Sequence, residues 1–289
     1  MGLRFNMLLR DAGIELADVR LLRHETQLEP GKTPYSYWRD DPASFERYQS
    51  VQHRKNQAKL KGRYWAGFVA PTLGSTMFVG LYEVVGCLGP DPEPGCDRFD
   101  CRRVPLADGE GRDYQGRVFV HWGNSPSSKR AWIQRADRQD KPITEVRPRY
   151  QEEAFPGPLG FSCRLSELEG LPIGWKQVLT TLTGVYALAC TRTGELYVGS
   201  AGGSDGFLGR WRAYAMNGHG GNVGLRNRER GDYVVSILDT VGTRGAGDLL
   251  AMEGAWKRKL LSVDLGLNRN GPRSAFVVRG PLPLSAAED

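Results

Sequence analysis

The feature that most restricts this chain is a run of short segments rich in aromatic and β-branched residues, each cut off by glycine or proline. RYWAGFVA (63–70), TMFVGLYEVVG (76–86), GRVFVHWG (116–123) and KPITEVRP (141–148) all have this texture, which suits a pleated, half-buried surface. Several such strands at close spacing predict a small curled sheet or barrel with helices packed around it. No apolar run approaches the roughly 20 residues of a membrane span. With 289 residues, 40% of them hydrophobic, the chain can bury two cores.

Helical signals flank these strands. LLRDAGIELADVRLL reads as a short helix stopped at Gly13 and followed by a strand. Asp41 and Pro42 are an N-cap and a first helical residue. Phe45, Tyr48 and Val51 then give an apolar stripe, and the helix is expected to run into the basic stretch HRKNQAKLKGR (53–63). Trp38, Tyr64 and Trp65 are expected in the core. Arg54, Lys55, Lys59 and Lys61 are expected on a solvated face. QEEAFPGPLGF (151–161) combines charge with Pro156, Gly157, Pro158 and Gly160 and is the best linker. It divides the chain into a mixed α+β domain over 1–158, with a strand-rich portion suited to nucleic-acid recognition, and a second domain over 159–289. A short helix, WKQVLTTL, opens the second module, and GPLPLSAAED is read as a poorly ordered tail.

Charge and cysteine usage narrow the function classes. The net charge is +6, with a pI near 9.1. From Gly174 onward there are 14 Lys and Arg against 10 Asp and Glu, so +4 of the +6 lies in the C-terminal part. That excess suits a polyanionic partner, although it is modest and implies few, salt-sensitive phosphate contacts. Five cysteines without a CxxC argue against a disulfide framework. Cys87, Cys96 and Cys101 fall in CLGPDPEPGCDRFDC, read as a surface loop of reduced thiols. A zinc site completed by His121 is the alternative, on a spacing that fits no common zinc module. The N-terminus lacks a secretory apolar core, and Asn6 breaks the myristoylation pattern, so a cytoplasmic location is expected.

The C-terminal module has a readable order. GVYALACT (184–191) and LYVGSA (196–201), joined through Gly194, form an antiparallel hairpin. Asp205 is placed to cap the helix FLGRWRAYAMN, in which Leu208, Trp211 and Ala215 share one face while Arg210 and Tyr214, four apart, share another. YVVSILD (233–239) is a third strand. Asp248 is placed to cap a last helix, LLAMEGAWKRKLL, with Leu249, Met252, Trp256 and Leu260 inward and Glu253 at the margin of that stripe. GLNRN (266–270) closes the module.

Gly184-Val185-Tyr186 and Tyr197-Val198-Gly199, followed by Arg210, Glu253 and Asn268, resemble the ordered signature of the GIY-YIG nuclease superfamily. Asn270 competes with Asn268 for the last position. The resemblance covers about residues 171–270, and YVGSAGGSDGFLGRWRAYA and GHGGN are closest in flavour to the restriction and bacterial-defence branch. It implies an α+β fold, with a small antiparallel sheet flanked by helices in the C-terminal domain. It also implies an endonuclease hydrolysing DNA phosphodiester bonds, a sequence-specific restriction enzyme being one form of this. The implied catalytic set is Tyr186, Tyr197, Arg210, Glu253 and Asn268. Tyr186 would be the general base, Tyr197 would orient water or phosphate, Arg210 would bind the scissile phosphate, and Glu253 would hold one Mg²⁺ or Mn²⁺. Some members carry a His four residues after the Arg, where this chain has Tyr214.

The residue types suit that chemistry. A lone carboxylate can hold a hard divalent ion whose other ligands are waters and phosphate oxygens. An Arg presents a bidentate fork to phosphate, and a tyrosine can act as base if its pKa falls from about 10 toward neutrality. Arg212, Tyr214, His219, Asn222, Lys257 and Lys259 are further candidates for contact with nucleic acid, duplex DNA first. His219 and Asn222 serve equally well as turn residues, while Lys257, Arg258 and Lys259 more often mark an exposed helix face. Cutting both strands with one site per chain requires a homodimer or sequential nicking. The competing readings are a DNA-binding or regulatory protein on an inactive nuclease scaffold, and a nuclease for single-stranded DNA, RNA or branched intermediates.

Overall fold

The computed structural model describes residues 2–25, 31–72, 75–123, 131–222, 225, 233–241 and 246–270. The chain is mixed α and β, with two sheets in two units. The first unit comprises residues 1–153 with 169–172, and the second comprises 154–168 with 173–289. The Pro/Gly segment from 154 therefore belongs to the second unit. Residues 280–289 lie outside the described residues. Among the described residues no helix is long and apolar enough to cross a membrane.

In the first unit α1 (Phe5–Asp11) leads through Gly13, at φ 70°, to β1 (Val19–His24). Helix α2 (Pro34–Asp40) starts on a capping box in which Thr33 and Ser36 bond reciprocally. Helix α3 (Pro42–Ser50) starts on Asp41, whose carboxylate accepts from Ser44 N at 3.2 Å. It ends at Ser50 rather than running into the basic stretch. Val51 is extended, β2 (Val51–His53) pairs with a later strand, and α4 (Gln57–Leu60) is a single turn. The remaining strands are β3 (Tyr64–Val69), β4 (Thr76–Pro90), β5 (Cys96–Val104), β6 (Val118–Val120), β7 (Ile133–Arg135) and β8 (Ile143–Val146). The order is β2-β5-β4-β3-β1-β7, with β6 joining β4 to β8. Among the described residues of this sheet, only the β1–β3 pair is parallel.

The cysteine-containing stretch is not a loop. Strand β4 continues to Pro90 and pairs with β5 along the whole arm, and register shifts between Val84 and Gly86 and between Cys87 and Gly89 absorb the glycines that read as breaks. Cys87 is exposed, Cys96 buried and Cys101 half-buried. Among the described residues no three His, Cys, Asp or Glu are grouped to hold a metal.

Both faces of this sheet are covered. Phe5, Leu8 and Leu9 of α1 pack with Leu21, Phe68 and Phe78, where the Phe5, Phe68 and Phe78 rings lie 5.0–5.6 Å apart. Tyr35, Trp38 and Phe45 of α2 and α3 pack with Val69, Val79 and Phe119. Trp65 is fully buried, as its position in the pattern implied. Gly67 leaves room there for Gln49 of α3, whose Oε1 would lie 2.5 Å from a Cβ and would have to shift.

The second unit contains β9 (Ser162–Arg164), α5 (Ile173–Thr181), β10 (Gly184–Cys190), β11 (Leu196–Ala201), α6 (Gly206–Asn217), β12 (Tyr233–Thr240) and α7 (Ala246–Lys259). Its antiparallel sheet runs β11-β10-β12-β9, so β10 is internal and β11 is an edge. Three readings of this module need correction. Asp205 occupies the N-cap position of α6, but its side chain makes no capping bond. Asp248 lies inside the first turn of α7 rather than before it. The buried face of α6 is Phe207, Leu208, Trp211 and Tyr214, with Ala215 exposed.

Candidate functional site

The cross-strand register sorts the signature residues onto two faces. Tyr186 of β10 is paired with Gly199 of β11, and Val185 is paired with Ser200. Neighbours along a strand point to opposite faces, so Tyr186, Tyr197 and Gly199 share one face while Val185, Val198 and Ser200 share the other. Helix α6 covers the first face. Phe207 and Trp211 meet the Tyr186 ring edge-on at 6.3 and 5.9 Å, and Phe161 stacks on Trp211 at 5.5 Å. Helix α7 covers the second, packing Leu249, Met252 and Trp256, with Leu260 just after it, against Val185, Val198 and Val241.

On the α6 face a guanidinium and phenols form one hydrogen-bonded group. Arg210 Nε donates to Tyr186 Oη at 3.1 Å and Nη2 donates to Tyr214 Oη at 3.2 Å. Its Nη1 donates to the Gly220 carbonyl at 3.0 Å. The Tyr186 and Tyr214 hydroxyls share a hydrogen bond of 3.0 Å. Tyr214 is bonded in turn to Tyr197, whose ring is 6.1 Å away. The i, i+4 spacing of Arg210 and Tyr214 also sets the guanidinium over the Tyr214 ring at 5.1 Å. Gly199 makes room for the group, since a Cβ there would lie 2.6 Å from Tyr186 Oη and 2.8 Å from the Tyr197 ring.

Burial pushes the Tyr186 pKa up, and the neighbouring Tyr197 acts in the same direction. Arg210 pulls the other way but does not prevail. The expected fall toward neutrality is therefore not what this arrangement produces, because a fully buried phenol loses the hydration that would stabilise its anion. Tyr214 is pushed up by burial and by its tyrosine neighbours. Arg210 is raised: burial, the largest influence, opposes the charge, but the tyrosines more than offset it.

On the α7 face Glu253 is half-buried and bound twice. Ser200 Oγ donates to its Oε2, and Lys257, four residues on, lies 2.6 Å from its Oε1. Lys257 is thus an ion-pair partner of the candidate ligand rather than a free exposed cation. Ser200 is a site residue that the sequence pattern does not mark, and its signal is the position directly after the YVG triplet on the edge strand. Asn268 is buried and fully engaged: its Oδ1 accepts from Val198 N and its Nδ2 donates to Val198 O, both at 2.8 Å. It fastens the segment after α7 to the open edge of β11, beside the Leu267 N to Leu196 O bond.

His219 and Asn222 stand in a turn after α6. Gly218 is left-handed at φ 78°, Asn217 Oδ1 accepts from the amides of His219 and Gly220, and His219 Nδ1 accepts from Gly221 N. The turn delivers the Gly220 carbonyl to Arg210. Arg212 and Lys259 are exposed, and Lys259 lies over the Trp256 ring at 4.9 Å.

The fit to a divalent ion rests on Glu253 alone. Ser200 meets one of its oxygens and Lys257 the other, and a carboxylate offers about four acceptor sites, so capacity remains for an ion that takes its other ligands from water and phosphate. Two groups therefore flank the edge strand, a phenol–guanidinium network on one side and a tethered carboxylate on the other. No family model, no curated protein and no solved structure matches the chain.

Proposed function

We propose that the chain is a divalent-metal-dependent endonuclease of GIY-YIG type acting on DNA, duplex DNA foremost, with its chemistry in the second unit. The observation that carries this reading is the Arg210 guanidinium bonded to both Tyr186 and Tyr214 beside Gly199. Those residues come from three successive elements, β10, β11 and α6, and all but Tyr214 belong to the signature that the resemblance supplies. A guanidinium held by two phenols presents positive charge and directed donors to a phosphodiester oxygen. Proton removal at Tyr186 Oη would leave a phenolate beside Arg210 Nε and Tyr214 Oη, both able to donate to it. Arrival of a phosphate reorganises this group, and Tyr186 as base depends on that change. Glu253 would hold Mg²⁺ or Mn²⁺, one ion per site, which when bound supplies Lewis-acid stabilisation of the phosphate and a more acidic water. Lys257 gives up or shares its carboxylate oxygen at that point. Double-strand cutting requires two chains or two successive nicks.

The test is cleavage of a panel of duplex, single-stranded and branched substrates with Mg²⁺ or Mn²⁺. We expect chelator-sensitive cutting of duplex DNA, and Glu253→Gln to lower its rate at least about a hundredfold with unchanged thermal unfolding. One observation favours a second reading, a DNA-binding protein that does not cut. Glu253 lies on the opposite face of β11 from the tyrosines and is already ion-paired. Retained DNA binding with no cutting of any substrate would establish that reading and overturn the first.

A further inference from the structure

The first unit holds an open cleft of about 940 Å³ that the proposed chemistry does not use. Its walls come from the end of β1, from α2 and α3, from β2 and the turn after it, and from the segment entering β7. Such a volume is at the upper end of the roughly 300–1,000 Å³ typical of sites for small organic ligands. Three features of the lining define what it can take.

The first is aromatic surface. Tyr37, Tyr48 and Trp132 line the cleft from three separate elements, and each keeps part of its surface exposed. Rings that served only the core would be closed off, as Trp65 and Phe45 are. Tyr48 is pushed up to about 12 by burial and by Glu93, so its hydroxyl remains a neutral donor and acceptor.

The second is charge balance. Arg23, Arg47 and Lys55 line the cleft against Glu25, Asp91 and Glu93. Arg23 pairs with Glu25 at 2.5 Å and Arg47 with Asp91 at 3.8 Å. The cleft therefore carries no net field for a polyanion and is not a phosphate track.

The third is a buried polar pair. His24 lines the cleft but is only 3% exposed, and its Nε2 is 3.3 Å from Gln49 Oε1. The ring meets Tyr48 edge-on at 5.2 Å and is inclined to Trp132 at 6.0 Å. Burial pushes the imidazole down to about 4, so it is neutral at physiological pH. Arg23, which lines the cleft, has a buried Nε with no hydrogen-bond partner among the described residues, and the same holds for Gln49 Nε2, behind His24 and outside the lining. Burying such donors is costly unless something completes them.

We infer that this cleft takes a single nucleobase, stacked on Trp132 and the tyrosines, with its polar edge toward the wall that carries His24. A neutral planar heterocycle with donors and acceptors on its rim matches aromatic faces, balanced charge and a neutral imidazole together. Stacking tolerates any base, and reading of its edge supplies choice among bases. Selecting a nucleobase among planar heterocycles rests on the nuclease reading above. The base comes either from a free nucleotide or from a polynucleotide in which it is turned out of the stack.

The experiment uses the full chain carrying Glu253→Gln, a substitution in the other unit that is expected to suppress cutting. Calorimetric titrations with the nucleoside monophosphates are compared with ribose 5-phosphate, and titrations with oligonucleotides are compared with the same strands bearing one abasic position. We expect at least one base to be bound, ribose 5-phosphate not to bind, and Trp132→Ala to weaken binding by roughly 5- to 100-fold. Tightness with mononucleotides assigns a free ligand, whereas binding only to oligonucleotides with the base present assigns a turned-out base. An oligonucleotide carrying 5-iodouracil, irradiated on the unaltered cleft, is expected to cross-link to peptides containing Trp132, Tyr48 or Tyr37, which removes any dependence on a variant that folds poorly. Failure of every mononucleotide to bind together with equal binding of abasic and intact strands, or base binding that Trp132→Ala leaves unchanged with cross-links confined to other peptides, overturns the inference. That outcome with DNA cutting intact condemns only the cleft assignment, and base binding without cutting by the parent chain condemns only the nuclease assignment.

Discussion

The two faces of strand β11 carry different polar groups, held in different ways. On one face Tyr186, Tyr197, Tyr214 and Arg210 are bonded to one another under α6, with burial raising the phenol pKa values of Tyr186 and Tyr214. On the other, Glu253 is tethered by Ser200 and Lys257, where half-burial leaves access to solvent. The first network is closed on itself by hydrogen bonds, and the second is a carboxylate whose partners can be exchanged. A site built from both has its cationic, hydrogen-bonded part on one side of an edge strand and its anionic part on the other. A substrate would have to join them around that edge.

The sharpest way to break this comparison is a double-mutant cycle. If both faces serve one phosphate, Tyr186→Phe and Glu253→Gln each reduce single-turnover cleavage by about 10²-fold or more, and together by little more than the worse single variant. Strictly multiplicative losses would mean that the faces act independently. Next in size is Asn268→Ala, which strips both partners from the Val198 amide and carbonyl. Urea unfolding should show a loss of about 2–3 kcal/mol, and a loss under 0.5 kcal/mol would show that the edge is not fastened there.

Gly199→Ala should cost about 1–3 kcal/mol through overpacking, since the new methyl meets the Tyr186 hydroxyl and the Tyr197 ring. Near-UV circular dichroism should change with it, and an unchanged spectrum with unchanged stability would refute the tight packing. Smallest is Tyr214→Phe. It removes an acceptor shared by Tyr186 and Arg210, worth about 1 kcal/mol, and should slow cleavage less than tenfold. A hundredfold loss would instead make Tyr214 the base.

Local pattern was enough wherever an interaction closes within a few residues. The Asp41–Pro42 start, the Gly13 stop, the hairpin 184–201 and the Arg210–Tyr214 pair all follow from spacing and turn chemistry. Long-range pairing was not legible. The arm at 87–104 carries glycine and proline that signal a loop, yet two register shifts let it pair. Strand β9 is three residues long and exists because β12 offers it an edge. Helix α3 stops at Ser50 because Val51 is drawn into pairing with β5. The cleft draws on residues between Arg23 and Trp132, a grouping no window of sequence contains.

The sequence alone determined which chemical groups are present and in what order, because phenol, guanidinium and carboxylate are fixed by residue identity. It also determined the α+β texture, because hydrophobic period and turn residues act locally. Tertiary structure alone decided that the phenols share a face with Arg210 while Glu253, on α7, meets the opposite face of β11 at Ser200, since strand alternation and register set a side chain's face. It alone decided that the Tyr186 pKa rises, since desolvation depends on what packs around a group rather than on what precedes it in the chain.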